Sequence, residues 1–288
     1  MPLIPCHFCL IFDSMSVSDL APIRRSGPNT AEKDSLMPRF AANLTLLFTE
    51  VPLLDRIAAA RDAGFDGVEM LFPYAAAIGD LKSALDTANL PLILINTPAP
   101  DWDTGGRGCA AIPGAEARFR EGFEQALAYA RGLGTPIIHI MSGLASGPEA
   151  KQTLIDNLKW ATGRVPEQPL TIEPINTHDI PGYFLDDFDL AADILDAVAA
   201  PNLALQFDAY HAHRITGDMP ATWARHGHRA THIQIAGAPG RHEPTGGDID
   251  YPAFFTHLDT TGYSGFVSAE YFPAAETTKG LAWLHSAR

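Results

Sequence analysis

From residue 39 onward the chain alternates between two hydrophobic rhythms. Short apolar or β-branched runs recur at 39–45 (RFAANLT), 67–71 (GVEML), 91–97 (PLILINT), 136–141 (PIIHIM), 169–174 (PLTIEP), 203–208 (LALQFD), 231–235 (THIQI) and 265–270 (GFVSAE). Runs of this length and composition predict eight strands. Between them, apolar residues fall at helical spacing. In "LLDRIAAARDAGF" Leu53, Ile57, Ala60 and Ala63 share one face, and Gly64 supplies a stop. "GAEARFREGFEQALAYARGLG" is closed by Gly132 and Gly134, and "DDFDLAADILDAVAA" opens with acids where the helix dipole favours them.

Strands that alternate with helices imply a parallel sheet, because each parallel crossover needs a helix. Eight such units in about 250 residues predict an α/β fold, a closed (β/α)₈ TIM barrel forming a single domain over residues 37–288. An open doubly wound sheet is the alternative. It usually carries a Gly-rich phosphate loop after an early strand, and neither G-x-G-x-x-G nor a Walker motif is present. The Gly-rich "DTGGRGCA" (103–110) follows the third strand and reads as a long mobile loop, a candidate lid.

Residues 1–36 lack either rhythm. "MPLIPCHFCLIF" is apolar without the basic start of a secretory signal, and a polar, Pro- and Gly-punctuated stretch follows it. This segment is expected to be a disordered extension, or the product of an upstream start codon ahead of Met37. The lone C-x-x-C of Cys6 and Cys9 has no second pair, and Cys109 is the only other cysteine, a sparse set that fits a reducing, cytoplasmic setting. No apolar run approaches the roughly 18 residues of a membrane span. A net charge of −14 makes nucleic acid a poor partner. A small molecule is the expected partner, and a homo-oligomer is left open.

The chemistry gathers at the strand ends. Runs five to eight each carry one oxygen-bearing side chain near the C-terminal end: Glu173, Asp208, Gln234 and Glu270. In a barrel of this kind that end is the mouth where active sites lie. Three neighbouring carboxylates resist ionising together, and a divalent cation resolves the conflict. An all-oxygen donor set suits Mg²⁺ or Mn²⁺ rather than Zn²⁺. The alternative is that each merely caps its strand. His211, Arg241 and Asp179 follow these ends closely and are candidates to bind substrate. Arg241 would clamp a carboxylate bidentately, or else form a loop salt bridge. His211 would otherwise be a satisfied helix-start histidine, and Asp179 a turn residue. Asn43, Glu69, Asn96 and His139 also sit near the mouth, with Glu69 and His139 expected to line it.

The blocks "RFAANLTLLF", "GFDGVEMLFPY", "EPINTHDIPGY", "QFDAYHAHR", "HIQIAGAPGRHEP" and "SAEYFP" resemble, in order, those of the hydroxypyruvate isomerase family of xylose isomerase-like barrels. The resemblance covers residues 38 to 288. It implies a divalent metal on Glu173, Asp208, Gln234 and Glu270, with Glu173 and Glu270 as the acid–base pair. It also implies a small hydroxy-keto acid as substrate, hydroxypyruvate giving tartronate semialdehyde through an enediolate. The chain departs from the family pattern at Gly237, where aspartate is frequent, in "EPTGGDI", and at Ile95, where many members have a histidine. Those departures bear on the exact substrate. The same chemistry also serves 2-oxo-tetronate isomerases and ketose epimerases. A polyol-ketone dehydratase and a zinc DNA-repair endonuclease are more distant readings. The second needs a histidine cluster and a basic face.

Overall fold

The computed structural model describes residues 38–99 and 101–288. Its eight strands are β1 (Arg39–Asn43), β2 (Gly67–Met70), β3 (Leu92–Asn96), β4 (Ile137–His139), β5 (Leu170–Ile172), β6 (Leu203–Asp208), β7 (Ala230–Ile235) and β8 (Phe266–Ala269). All pair in parallel with their sequence neighbours, and β1 meets β8 with Phe40 opposite Val267, which closes the barrel. The predicted TIM barrel is therefore the observed fold. The segment 1–36, with Cys6 and Cys9, lies outside the described residues. Cys109 is a buried free thiol.

The helices are α1 (Leu53–Asp62), α2 (Ile78–Ala88), α3 (Glu116–Leu133), α4 (Gly147–Arg164), α5 (Phe188–Val198), α6 (Ala209–Thr216), α7 (Met219–His226), α8 (Tyr251–Thr261) and α9 (Ala282–Ser286). None of the described helices is long and apolar enough to cross a membrane. The acids expected at the start of α5 include its N-cap: Asp187 accepts from the Leu190 amide at 2.7 Å. Gly134 ends α3 in the left-handed conformation. Gly132, expected to help close that helix, lies within it. There a β-carbon would come within 2.6 Å of Ile78 on α2, so the glycine serves close helix packing rather than termination.

Alternation along each strand sends one set of side chains outward and one inward. The outward set, including Phe40, Val68, Ile95, Ile172, Phe207 and Ile233, packs beneath the helices in the main hydrophobic core. The inward set changes character along the barrel. Near the strand N-termini it is apolar, with Ala41, Ile93 and Leu94 against Ile137 and Phe266. Towards the C-terminal ends it is polar and buried: Asn43, Glu69, Asn96, His139, Thr171, Gln206, Asp208, His232, Gln234 and Ser268.

Candidate active site

Asp208 has two structural duties at once. It ends β6 and is the N-cap of α6, with no loop between. Its Oδ1 accepts from the amides of Tyr210 (2.7 Å) and His211 (3.1 Å). Oδ2 is buried and meets no hydrogen-bond donor among the described residues, and the same is true of Glu270 Oε2. Glu173 directly follows β5, Glu270 directly follows β8, and both are buried. Gln234 sits on β7 opposite Asp208 in register.

Burial holds the Glu173 carboxyl well above the usual range, reinforced by repulsion from Glu270 and Asp208. Burial also lifts Glu270 well above it, against the pull of Arg241. Asp208 is raised by burial too, less Arg241's attraction and its amide bonds. These acids ionise together only if positive charge joins them.

His211 is well defined by its partners. Its Nδ1 faces the Asn176 backbone amide at 3.4 Å and the Asn176 side-chain nitrogen at 2.6 Å. A backbone N–H can only donate, so Nδ1 is the acceptor and Nε2 carries the hydrogen. Nε2 lies 3.8 Å from Glu173 Oε1 and 3.7 Å from Asp208 Oδ2. Burial, with Arg241 and His139 nearby, holds its pKa well below the ordinary value. His211 is thus a neutral N–H donor aimed into the site. One donor atom each from Glu173, Asp208 and His211 lie within 4.8 Å of one another. In this tautomer, though, the imidazole has no lone pair to give a cation.

Arg241 reaches the acids from the loop after β7. Its guanidinium is 3.5 Å from Glu270 Oε2, 3.6 Å from Asp179 Oδ2 and 4.0 Å from Asp208 Oδ2. Those neighbours raise its pKa despite the opposing cost of burial. Its backbone is left-handed, at φ 54°, a strained setting for a residue other than glycine. At the turn before it, Gly237 donates to the His242 carbonyl at 2.8 Å, and a β-carbon there would collide with the Glu243 carbonyl. The turn is built for glycine where aspartate is frequent in the family. Asp179 stands at the rim, accepting from the Tyr210 hydroxyl at 3.3 Å.

Beneath these groups runs a chain of amides. Gln206 Nε2 donates to Glu173 Oε2 (2.9 Å) and to Gln234 Oε1 (2.7 Å), and Gln234 Nε2 donates to Glu69 Oε1 (2.8 Å). Glu69 was expected to line the mouth. It lies fully buried below it instead, because Asn43 (2.8 Å), Gln234 and His232 (2.9 Å) all converge on its carboxylate. His139 does line the cavity. Its Nδ1 contacts Asn96 Oδ1 at 3.1 Å, and burial, with His232 nearby, holds its pKa down to about 3. Gln206, His232 and Asn176 escaped the sequence reading. The first two stand two residues before Asp208 and Gln234, so strand periodicity pointed at them. Asn176 carries no such signal.

Glu173, Glu270, His211, Arg241, Asp179 and His139 open on a cavity of about 500 Å³, with Trp102, Arg107 and Phe272 among its walls, whereas Asp208 and Gln234 are not part of its lining. Ile95 is not among them. It faces the helix layer, so the missing third-strand histidine leaves the cavity wall unchanged. The 103–110 loop is tied down at its far end. Ala111 donates to the Ser142 carbonyl at 2.7 Å, and Gly108 bridges Ser142.

The residues present fit a divalent cation. Two buried carboxylate oxygens lack donors, and Gln234 Oε1 has a second lone pair beyond its bond to Gln206. The donors are oxygens, as a hard cation prefers.

A family model described as xylose isomerase-like TIM barrel matches residues 57–287. A protein of Cupriavidus necator named 2-oxo-tetronate isomerase is 45% identical over 254 residues, covering 86% of this chain and 98% of that one. The hydroxypyruvate isomerase of Escherichia coli is 40% identical over 254 residues, with 86% and 98% covered. A crystal structure described as an AP endonuclease, family 2, from Brucella melitensis superposes with a TM-score of 0.84 at 40% identity, covering 88% of this chain and 100% of that one. The two curated relatives are named as isomerases, the class expected from the sequence.

Proposed function

The chain belongs to the xylose isomerase-like TIM barrel family, and we propose that it is a metal-dependent isomerase of short hydroxy-keto acids. Hydroxypyruvate, giving tartronate semialdehyde, and the four-carbon 2-oxo-tetronates are the candidate substrates, as the names of its relatives suggest. The observation that carries the reading is the pair of buried carboxyls, Glu173 and Glu270, lining one cavity beside a neutral histidine donor and an arginine.

The reaction moves a carbonyl to the neighbouring hydroxylated carbon. One glutamate, as carboxylate, removes the proton from the hydroxyl-bearing carbon next to the carbonyl, and the proton of that carbon's hydroxyl passes to the former carbonyl oxygen, so the substrate gains and loses none overall. The other, as carboxylic acid, delivers a proton to the former carbonyl carbon. The roles exchange in the reverse direction. Repulsion between the two makes it easier for the pair to keep one proton than it is for two isolated carboxylates. Between the two transfers the substrate is an enediolate. His211 Nε2–H and the Arg241 guanidinium point at the region where its oxygens carry charge. Held by Glu173, Asp208, Gln234 and Glu270, Mg²⁺ or Mn²⁺ would act as a Lewis acid towards the same oxygens, worth several kcal/mol. The acidic, cysteine-poor chain suits a cytoplasmic enzyme with no nucleic-acid partner, and its four-oxygen donor set differs from a multi-zinc nuclease site.

The test is turnover of hydroxypyruvate and of a 2-oxo-tetronate by metal-stripped protein, before and after Mg²⁺ or Mn²⁺ is restored. Activity that returns with the metal supports the reading. Failure of both substrates in metal-loaded protein overturns it.

A further inference from the structure

We infer that Arg107, on the loop after β3, anchors the substrate carboxylate, and that preference for acids over neutral ketoses rests on it. This depends on the isomerase reading above. The cavity wall holds two guanidinium groups, Arg107 and Arg241, in different electrostatic surroundings. Arg241 stands within 4.0 Å of Asp179, Asp208 and Glu270, so its charge is matched inside the protein. With Glu173, four acids crowd that single cation. With all four ionised a divalent ion would leave one surplus negative charge, and with one proton on the glutamate pair it would bring the balance to zero, so neither state leaves positive charge for an incoming carboxylate. A substrate carboxylate entering there needs a cation of its own.

Arg107 supplies one. Among the described residues no carboxylate comes within ion-pair reach of it, and Asp101 on the same loop pairs with Arg118 instead. Arg107 Nη1 donates to two backbone carbonyls, Trp102 (2.9 Å) and Gly106 (2.7 Å), and its guanidinium lies 4.0 Å over the Trp102 ring. These contacts orient the plane and leave the charge unmatched. Its Nε is buried and meets no acceptor among the described residues. A held, half-buried fork with free N–H groups is the arrangement that takes a carboxylate bidentately. The loop packs closely against β4 at its far end. Gly108 has φ 89°, and a β-carbon there would lie 2.6 Å from the Met141 carbonyl oxygen.

The test compares wild type with Arg107→Gln and Arg107→Lys, all loaded with Mg²⁺. Calorimetry gives dissociation constants for D-glycerate and for its neutral amide, glyceramide. Steady-state kinetics give kcat and KM for hydroxypyruvate and a 2-oxo-tetronate. We expect wild type to prefer glycerate to glyceramide by about tenfold or more, the scale of a charge-assisted hydrogen bond. Arg107→Gln should abolish that preference by weakening glycerate alone. KM should rise by a similar factor, more than kcat falls, and Arg107→Lys should recover part of the loss. Equal weakening of acid and amide would show a loop-supporting role and overturn the inference, as would an unchanged preference and KM. Either result, with wild type still turning over an oxo acid, leaves the isomerase reading standing. A wild type that turns over neither acid and binds no glycerate removes both.

Discussion

Glu69 on β2 and Glu270 after β8 are glutamates buried in the same barrel interior, yet they are treated in opposite ways. Glu69 receives Asn43, Gln234 and His232, so both its oxygens are bonded. Glu270 Oε2 has no hydrogen bond among the described residues, only Arg241 at 3.5 Å. The contrast extends to the two halves of the mouth. The β1–β4 half keeps its satisfied acid below the mouth and presents Asn96 and a neutral His139 at it. The β5–β8 half presents Glu173, Asp208 and Glu270, two of them with bare oxygens. A buried acid with a full set of donors belongs to the scaffold. One left short of donors is held ready for something the chain does not itself supply.

The hardest test of this division is removal of charge from the second half. Glu173→Gln and Glu270→Gln should each lower kcat by about 10²–10⁴, the usual contribution of a general acid or base, measured on hydroxypyruvate with metal present. A loss below tenfold for both would sink their acid–base roles. Next in size is the cation itself. Mg²⁺ or Mn²⁺ at about 100 times its dissociation constant should stabilise the stripped protein by about 2.7 kcal/mol, read from urea unfolding. Asp208→Asn keeps the helix-capping oxygen, loses the charge, and should blunt that gain.

A change of sign would sharpen the comparison further. In metal-free protein Glu270→Gln should raise the thermal midpoint, because it removes a buried, repelled charge. Glu69→Gln should lower it, at a cost of about 2 kcal/mol, since it replaces one of two buried acceptor oxygens on which three side chains converge and leaves a donor unpaired. Calorimetric scans of both variants decide the point, and midpoints moving the same way would erase the distinction between the halves. The smallest effect belongs to His139. In the fold its pKa is held down to about 3, against 6.5 for an ordinary histidine. Its contribution is therefore intact above pH 6.5 and declines below it, as the unfolded chain takes up a proton that the native state refuses. Wild type should lose about 1 kcal/mol more than His139→Gln between pH 6.5 and 5.5, by urea unfolding at each pH.

Much of this was legible in the sequence. Short apolar and β-branched runs marked all eight strands to within a few residues, and the oxygen at the end of each of the last four pointed to the mouth. His211, Arg241 and Asp179 also come together there, although their distance from the strand ends said nothing of their partners. What the sequence hid depends on orientation. Glu69 and Glu270 are the same residue type at similar distances from strand ends, and only the packing of Asn43 on β1 and of Gln234 and His232 on β7 gives one of them donors. Ile95 lies beside Asn96, and only the direction of the pleat shows that Asn96 meets the cavity while Ile95 meets the helices. Arg107 depends on a loop conformation that no periodicity encodes.

The bond between Glu69 and His232 spans 163 residues of chain. A ribosome adding about 5–20 residues per second needs roughly 8–30 s to cover that interval. During that time the early strands carry a carboxylate whose two cross-barrel partners have yet to be made. With Asn43 as its one donor from the first half, the acid gains only part of what offsets its burial until the seventh strand exists. Completion of the interior polar layer is thereby tied to a late stretch of the chain.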